Sequence, residues 1–139
     1  MILFHYETDF LLENEDTYQS WIETVILSEQ KIVGEINYIF CDDDYLHDIN
    51  VKYLNHNTLT DIISFDYSEF DTISGDIFIS IDRVRENAQN FNIDFSQELL
   101  RVMAHGILHY CGYKDKSESD VLLMREKENE KIELFHVEQ

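Results

Sequence analysis

Apolar and polar positions along the chain change period several times, and each change marks an element. Ile2, Phe4 and Tyr6 alternate with Leu3 and His5, which predicts a first strand. Tyr18, Trp21, Ile22, Val25 and Ile26 recur at helical spacing, and Asn14 or Asp16 stands where an N-cap belongs. KIVGEINYIFC, residues 31–41, is β-rich and returns to period two. Asp42, Asp43 and Asp44 suit the positive end of a helix dipole, so DDDYLHDIN reads as a short helix. DIISFDY reads as a buried strand, DTISG as a turn and GDIFISI as a further strand. Residues 82–91 read as helical. A strong helix starts at Asp94 or Ser96, runs through LLRVMAHGILHY and stops at Gly112. Ser117 caps a last helix with Val121, Leu122, Met124, Ile132 and Phe135 as its apolar positions. The order β-α-β-α-β-β-α-α-α predicts an α+β fold: a small mixed sheet packed with about five helices.

Composition narrows the class. The 139 residues suffice for one domain spanning 1–139, and 44% hydrophobic with 13% aromatic content is globular rather than disordered. No apolar run approaches the ~20 residues of a membrane span. MILFHYETDF lacks a basic n-region, so no signal peptide is expected. Cys41 and Cys111 are too few for a disulfide framework and read as reduced thiols in a cytoplasmic protein, with Cys111 a small core residue. The net charge of −19 repels nucleic acid at long range. The acids are unevenly spread: seven and no base from Glu7 to Glu29, against six of the ten bases between Lys52 and Lys116.

The candidate chemistry sits in HGILHYCGYKD, residues 105–115. A spacing of four puts His105 and His109 on one helix face, one turn apart, where two imidazoles reach one ion at ~2.0–2.1 Å. Gly112 lets the chain turn back, so Asp115 can bring a carboxylate to the same ion. Two His and one Asp leave a fourth position for water, the pattern of a catalytic zinc site. The bland alternative is a pair of core histidines bonded to backbone carbonyls. Position 106 is Gly, where a zincin peptidase carries the Glu of H-E-x-x-H.

This segment resembles the signature of the YbeY-type endoribonucleases, H-G-x-L-H-x-x-G-Y-D-H, through His105, Gly106, Leu108, His109, Gly112 and Tyr113. Upstream, INVKYLNHNTLTDIISF is similar to the family's L-N-x-x-Y-R-x-x-x-x-x-T-D-V-L-S-F at Asn50, Tyr53, Thr60, Asp61, Ser64 and Phe65, and GDIFIS matches its G-D-I strand. The resemblance implies a zincin-like metal helix and one Zn2+ per monomer on His105, His109 and Asp115. His105 and His109 would be the catalytic centre of a single-strand-specific endoribonuclease. It implies work at the 3′ end of small-subunit ribosomal RNA and in ribosome quality control, with ribosomal RNA, ribosomal proteins or assembly factors as partners and no membrane.

The chain departs from the pattern twice. The family's third ligand is a histidine, and here Lys114-Asp115 replaces Asp-His. An anionic ligand leaves bound water less acidic than a third imidazole would. The family's Arg after the motif tyrosine is Leu54, which cannot hold a phosphate. His56, Arg101, Lys114 or Lys116 are the available substitutes, and Ser64 and Asp76 are candidate cleft residues. Two rival functions remain at this level: another zinc hydrolase on the same scaffold, and a non-catalytic ribosome-assembly factor.

Overall fold

The computed structural model describes residues 1–55 and 60–138. Nine elements follow in the expected order: β1 (Ile2–Tyr6), α1 (Glu15–Ser28), β2 (Ile32–Cys41), α2 (Asp43–Leu54), β3 (Ile62–Asp66), β4 (Thr72–Ser80), α3 (Ile81–Phe91), α4 (Phe95–Tyr110) and α5 (Glu118–Glu138). The sheet order is β1-β2-β4-β3. β1, β2 and β4 are parallel and β3 runs antiparallel on β4, so the sheet is mixed and β3 has a free edge.

Period-two alternation sorts the side chains onto two faces. Ile36, Tyr38 and Phe40 of β2 and Ile73, Ile77 and Ile79 of β4 face the main core. α1 contributes Trp21, Ile22, Val25 and Ile26 to that core, and α4 contributes Leu99, Val102, Met103, Ile107 and others. Each such side chain removed from water is worth ~1.5–3 kcal/mol. The opposite face carries Asn37, Asp76, Cys41 and Phe78. Among the described residues α2 covers part of it, through a small cluster of Cys41, Leu46 and Ile63.

Local chemistry explains most boundaries. Asp42 caps α2 by accepting from the Tyr45 amide, Ser80 caps α3 by accepting from the Arg83 amide, and Ser117 caps α5 by accepting from the Asp120 amide. Asn14 occupies the N-cap of α1 in the left-handed region, but its side chain makes no capping bond. DTISG is not a turn. β4 begins at Thr72, and the reversal lies one step earlier at Glu69–Thr72 with Phe70 at φ 54°. Parallel pairing of Thr72 and Ile73 with Ile32 and Val33 draws those residues into the ladder. In α5 the inward stripe runs through Met124, Glu128, Lys131, Ile132 and Phe135, while Val121 and Leu122 are exposed.

Candidate metal centre

α4 presses flat on the sheet, and His105 and His109 lie along the margin of its buried face, both half-buried. Their rings meet edge to face, with centroids 4.5 Å apart. The two Nε2 atoms are 2.9 Å apart, and Asp115 Oδ2 stands 3.3 Å from one and 3.4 Å from the other.

The other ring nitrogens are already committed. His109 Nδ1–H donates to the Tyr113 carbonyl at 2.9 Å, and a carbonyl can only accept. His105 Nδ1–H donates to Glu128 Oε2 at 2.7 Å. With both Nδ1–H groups committed, two Nε2 atoms and a carboxylate oxygen converge at one point, a donor set that suits a cation. The two separations from Asp115 match the edge of a tetrahedron with ~2.0–2.1 Å bonds, about 3.3 Å, and that between the imidazoles, 2.9 Å, is shorter. Donor set and geometry therefore fit zinc, with the fourth direction open to the cleft. Among the described residues, His105, His109 and Asp115 form the group able to hold a metal ion.

The loop that returns Asp115 is built for that task. Gly112, at φ +108°, ends α4 in a conformation that side chains resist. The Gly112 amide donates to the His109 carbonyl and the Tyr113 amide to that of Leu108, which makes a Schellman closure. Tyr113 then points its hydroxyl at Glu29 Oε1, 2.7 Å away. Glu29 is held by Lys131 at 2.7 Å and Lys127 at 3.3 Å. Burial pulls the Glu29 carboxyl up, but the Lys131 and Tyr113 hydrogen bonds outweigh it, and the pKa falls below the ordinary value. The loop is thus tied to α1 and α5 on one side and to His109 on the other. Cys111 packs against the core, its thiol pushed up to about 11 by burial, and is not among the converging donors.

Behind His105 lies a buried charge chain. Glu128 is 2% exposed and faces Arg101, whose Nη1 is 3.6 Å from Oε1. Arg101 also grips the fully buried Glu98 with both ends of its guanidinium. A carboxylate on the far nitrogen of a metal-binding imidazole fixes its tautomer and makes it more basic.

Gly106 explains the missing glutamate. A Cβ there would lie 3.1 Å from Ile77 Cδ1 and 3.2 Å from Ile62 Cδ1. The residue after the first histidine therefore faces the sheet, where an ionised side chain has no water and no room.

Two clefts of about 190 and 230 Å³ flank the centre and share Arg101, His105 and Asp115. Arg125 and Glu128 wall the first, and Asp61 and Ile62 the second. Of the proposed substitutes for the missing arginine, only Arg101 lines these clefts. Lys114 and Lys116 are exposed outside them, Leu54 ends α2, and His56 lies outside the described residues. Ser64 sits beside Tyr110, and Asp76 is on the other face of the sheet, bonded to Asn37. Glu128, Arg125 and the Glu29 anchor escaped sequence reasoning. The available signal for Glu128 and Lys131 was two charges at inward positions of the α5 stripe.

The family model described as endoribonuclease YbeY matches residues 4–136, a span that contains all three converging residues. A relative from Flavobacterium johnsoniae, named endoribonuclease YbeY, is 66% identical over 139 residues, covering all of both chains. One from Parabacteroides distasonis with the same name is 42% identical over 137 residues, covering 97% of this chain and 96% of the relative. The solution structure of TM1509 from Thermotoga maritima superposes with a TM-score of 0.69 at 27% identity, over 97% of this chain and 89% of that one. With the helical histidine pair, the returning loop and strands β2 to β4 all inside the matched span, the chain belongs to the endoribonuclease YbeY family.

Proposed function

We propose that this chain is a single-domain, zinc-dependent endoribonuclease that cuts unpaired RNA. Family membership makes it an RNA-cleaving hydrolase. The finer reading rests on one observation: three acceptor atoms converge at a point between two clefts, with arginine side chains in the walls.

His105, His109 and Asp115 would hold the ion through Nε2, Nε2 and Oδ2. Bound there, zinc supplies Lewis acidity and lowers the pKa of a coordinated water. The protein's own groups do the rest. Glu128 and the Tyr113 carbonyl keep both imidazoles in the Nδ1–H form, so the Nε2 lone pairs stay available. Arg125, half-exposed in the cleft wall, is placed to bind a phosphate oxygen, and Arg101 adds positive potential from behind. Asp61 is the carboxylate in the second cleft that is neither a proposed ligand nor bonded to a histidine. It is the group available to take a proton from the attacking water or 2′-hydroxyl.

The cellular task fitting this chemistry is 3′-end maturation of small-subunit ribosomal RNA and ribosome quality control, in the cytoplasm. No helix of the described residues is long and apolar enough to cross a membrane. A net charge of −19 favours delivery to RNA by a basic ribosomal protein or assembly factor. The same charge favours the second reading, a non-catalytic assembly factor. A zincin-type peptidase is disfavoured, because Gly106 stands in place of its glutamate and faces the apolar side chains of Ile62 and Ile77.

The test is cleavage of an unstructured RNA oligonucleotide and its duplex by purified protein. The nuclease reading expects cutting of the single strand only, lost in chelator and restored by zinc. Metal-independent cutting, or none with zinc bound, overturns it, and the latter leaves the assembly-factor reading.

A further inference from the structure

We infer that the sheet face opposite α4 carries a pocket for one unpaired guanine base of the RNA strand that reaches the metal centre. The inference rests on the nuclease reading and adds a specificity element to it.

The pocket follows from register. Phe65 pairs with Asp76 and Ile63 with Phe78, so Phe65, Asp76 and Phe78 all turn to the face that α2 only partly covers. Ile49 and Tyr53 of α2 and Tyr67 just after β3 complete a cleft of about 400 Å³. The ring centroids of Tyr53 and Phe65 are 6.2 Å apart at 84°, and those of Phe65 and Phe78 are 5.9 Å apart at 89°. Yet Tyr53 and Tyr67 are 63% and 61% exposed. Two uncovered rings over an apolar floor suit a flat heteroaromatic ligand with a polar rim.

Charge selects which one. Asp76 is the one charged residue lining the cleft, so a phosphate is repelled from it. Its orientation is set by a chain across three strands: His5 Nε2 meets Asn37 Oδ1 at 2.8 Å, and Asn37 Nδ2 donates to Asp76 Oδ1 at 3.1 Å. A carboxylate only accepts. Guanine alone among the RNA bases offers two adjacent donors, N1–H and the 2-amino group, on its Watson–Crick edge. Lys52, with Nζ 5.5 Å from the Tyr53 ring, stands at the rim as counter-charge for the backbone phosphate.

Pocket and metal centre share β3. Ile62 lines the catalytic cleft and Phe65 the pocket, three residues further along, or about 10 Å. β3 is the edge strand, so a single RNA strand can cross it and occupy both.

The experiment titrates the chelator-treated full-length protein with 2′-O-methyl octanucleotides, one all adenine and one with a single guanine. The guanine oligomer is expected to bind roughly tenfold more tightly. Tyr53→Ala and Tyr67→Ala should each weaken it roughly tenfold, Tyr53→Phe and Tyr67→Phe should not, and Asp76→Asn should erase the preference for guanine. Equal binding of both oligomers, or tyrosine-to-alanine variants that bind like wild type, overturns the inference. That result would leave the face to a peptide strand on β3 or to a second copy of the chain. Zinc-dependent cleavage by the same proteins separates the two readings: intact cutting without guanine preference rejects the pocket alone, and guanine preference without cutting rejects only the nuclease reading.

Discussion

Glu128 is not itself among the converging donors, yet zinc affinity should depend on it. Its side chain is 3% exposed, accepts the His105 Nδ1–H at 2.7 Å and faces Arg101 at 3.6 Å. Glu128→Gln preserves volume and one acceptor but removes the charge that makes the imidazole a stronger donor to metal. Its amide NH2 would also confront the Arg101 guanidinium, donor against donor. Glu128→Ala leaves His105 Nδ1–H without this partner and removes one of the carboxylates facing Arg101. Changes at such supporting groups lower metal affinity ~10–100-fold, or about 1.4–2.8 kcal/mol. Gln belongs at the low end and Ala at the high end. Competition against a chromophoric zinc chelator, well below each variant's melting temperature, isolates affinity from fold stability. A Gln variant binding zinc as tightly as wild type would refute the idea that the carboxylate tunes His105.

Further consequences are testable with simple variants. Asp115→His exchanges the proposed anionic ligand for a neutral one, so the acidic limb of the RNA-cleavage pH profile should move to lower pH; an unchanged or alkaline-shifted limb contradicts this. Gly106→Ala meets only the ends of two isoleucine side chains and should change stability by no more than ~1 kcal/mol in urea unfolding, while Gly106→Glu, forced to bury a charge, should lose more than ~3 kcal/mol. Glu29 has a depressed pKa in the fold, so its contribution is complete at neutral pH and fades as pH falls through that value. Glu29→Gln should therefore lower stability by ~1–2 kcal/mol at neutral pH, and thermal melts of variant and wild type should converge as pH falls below the ordinary glutamate value of ~4.3.

Much of this architecture is visible in the amino-acid pattern because single elements impose single periods. Strand alternation in residues 31–41 and the helical repeat of LLRVMAHGILHY depend on nearby residues alone, and both elements form where their patterns lie. The His105–His109–Asp115 cluster was legible for the same reason: a four-residue spacing and a glycine stop act within a dozen residues. Tertiary pairing was less accessible. β4 starts at Thr72 because β2 recruits it, and nothing in DTISG announces that partner. Glu128 carries no mark in its own segment and Arg101 reads as one of four substitutes for the missing arginine, until α5 folds across α4 and sets both behind His105. Tyr113 reads as a motif letter, and its tie to Glu29 joins residues 84 apart.

The central claim is that His105, His109 and Asp115 together hold one metal ion. The direct measurement is a zinc competition titration of the wild-type chain and Asp115→Ala, with stoichiometry determined by elemental analysis. The account predicts about one zinc per wild-type chain and an affinity lower by orders of magnitude in Asp115→Ala, because only two imidazoles remain. Equal zinc affinity in the two proteins, or no zinc bound by wild type, would contradict it.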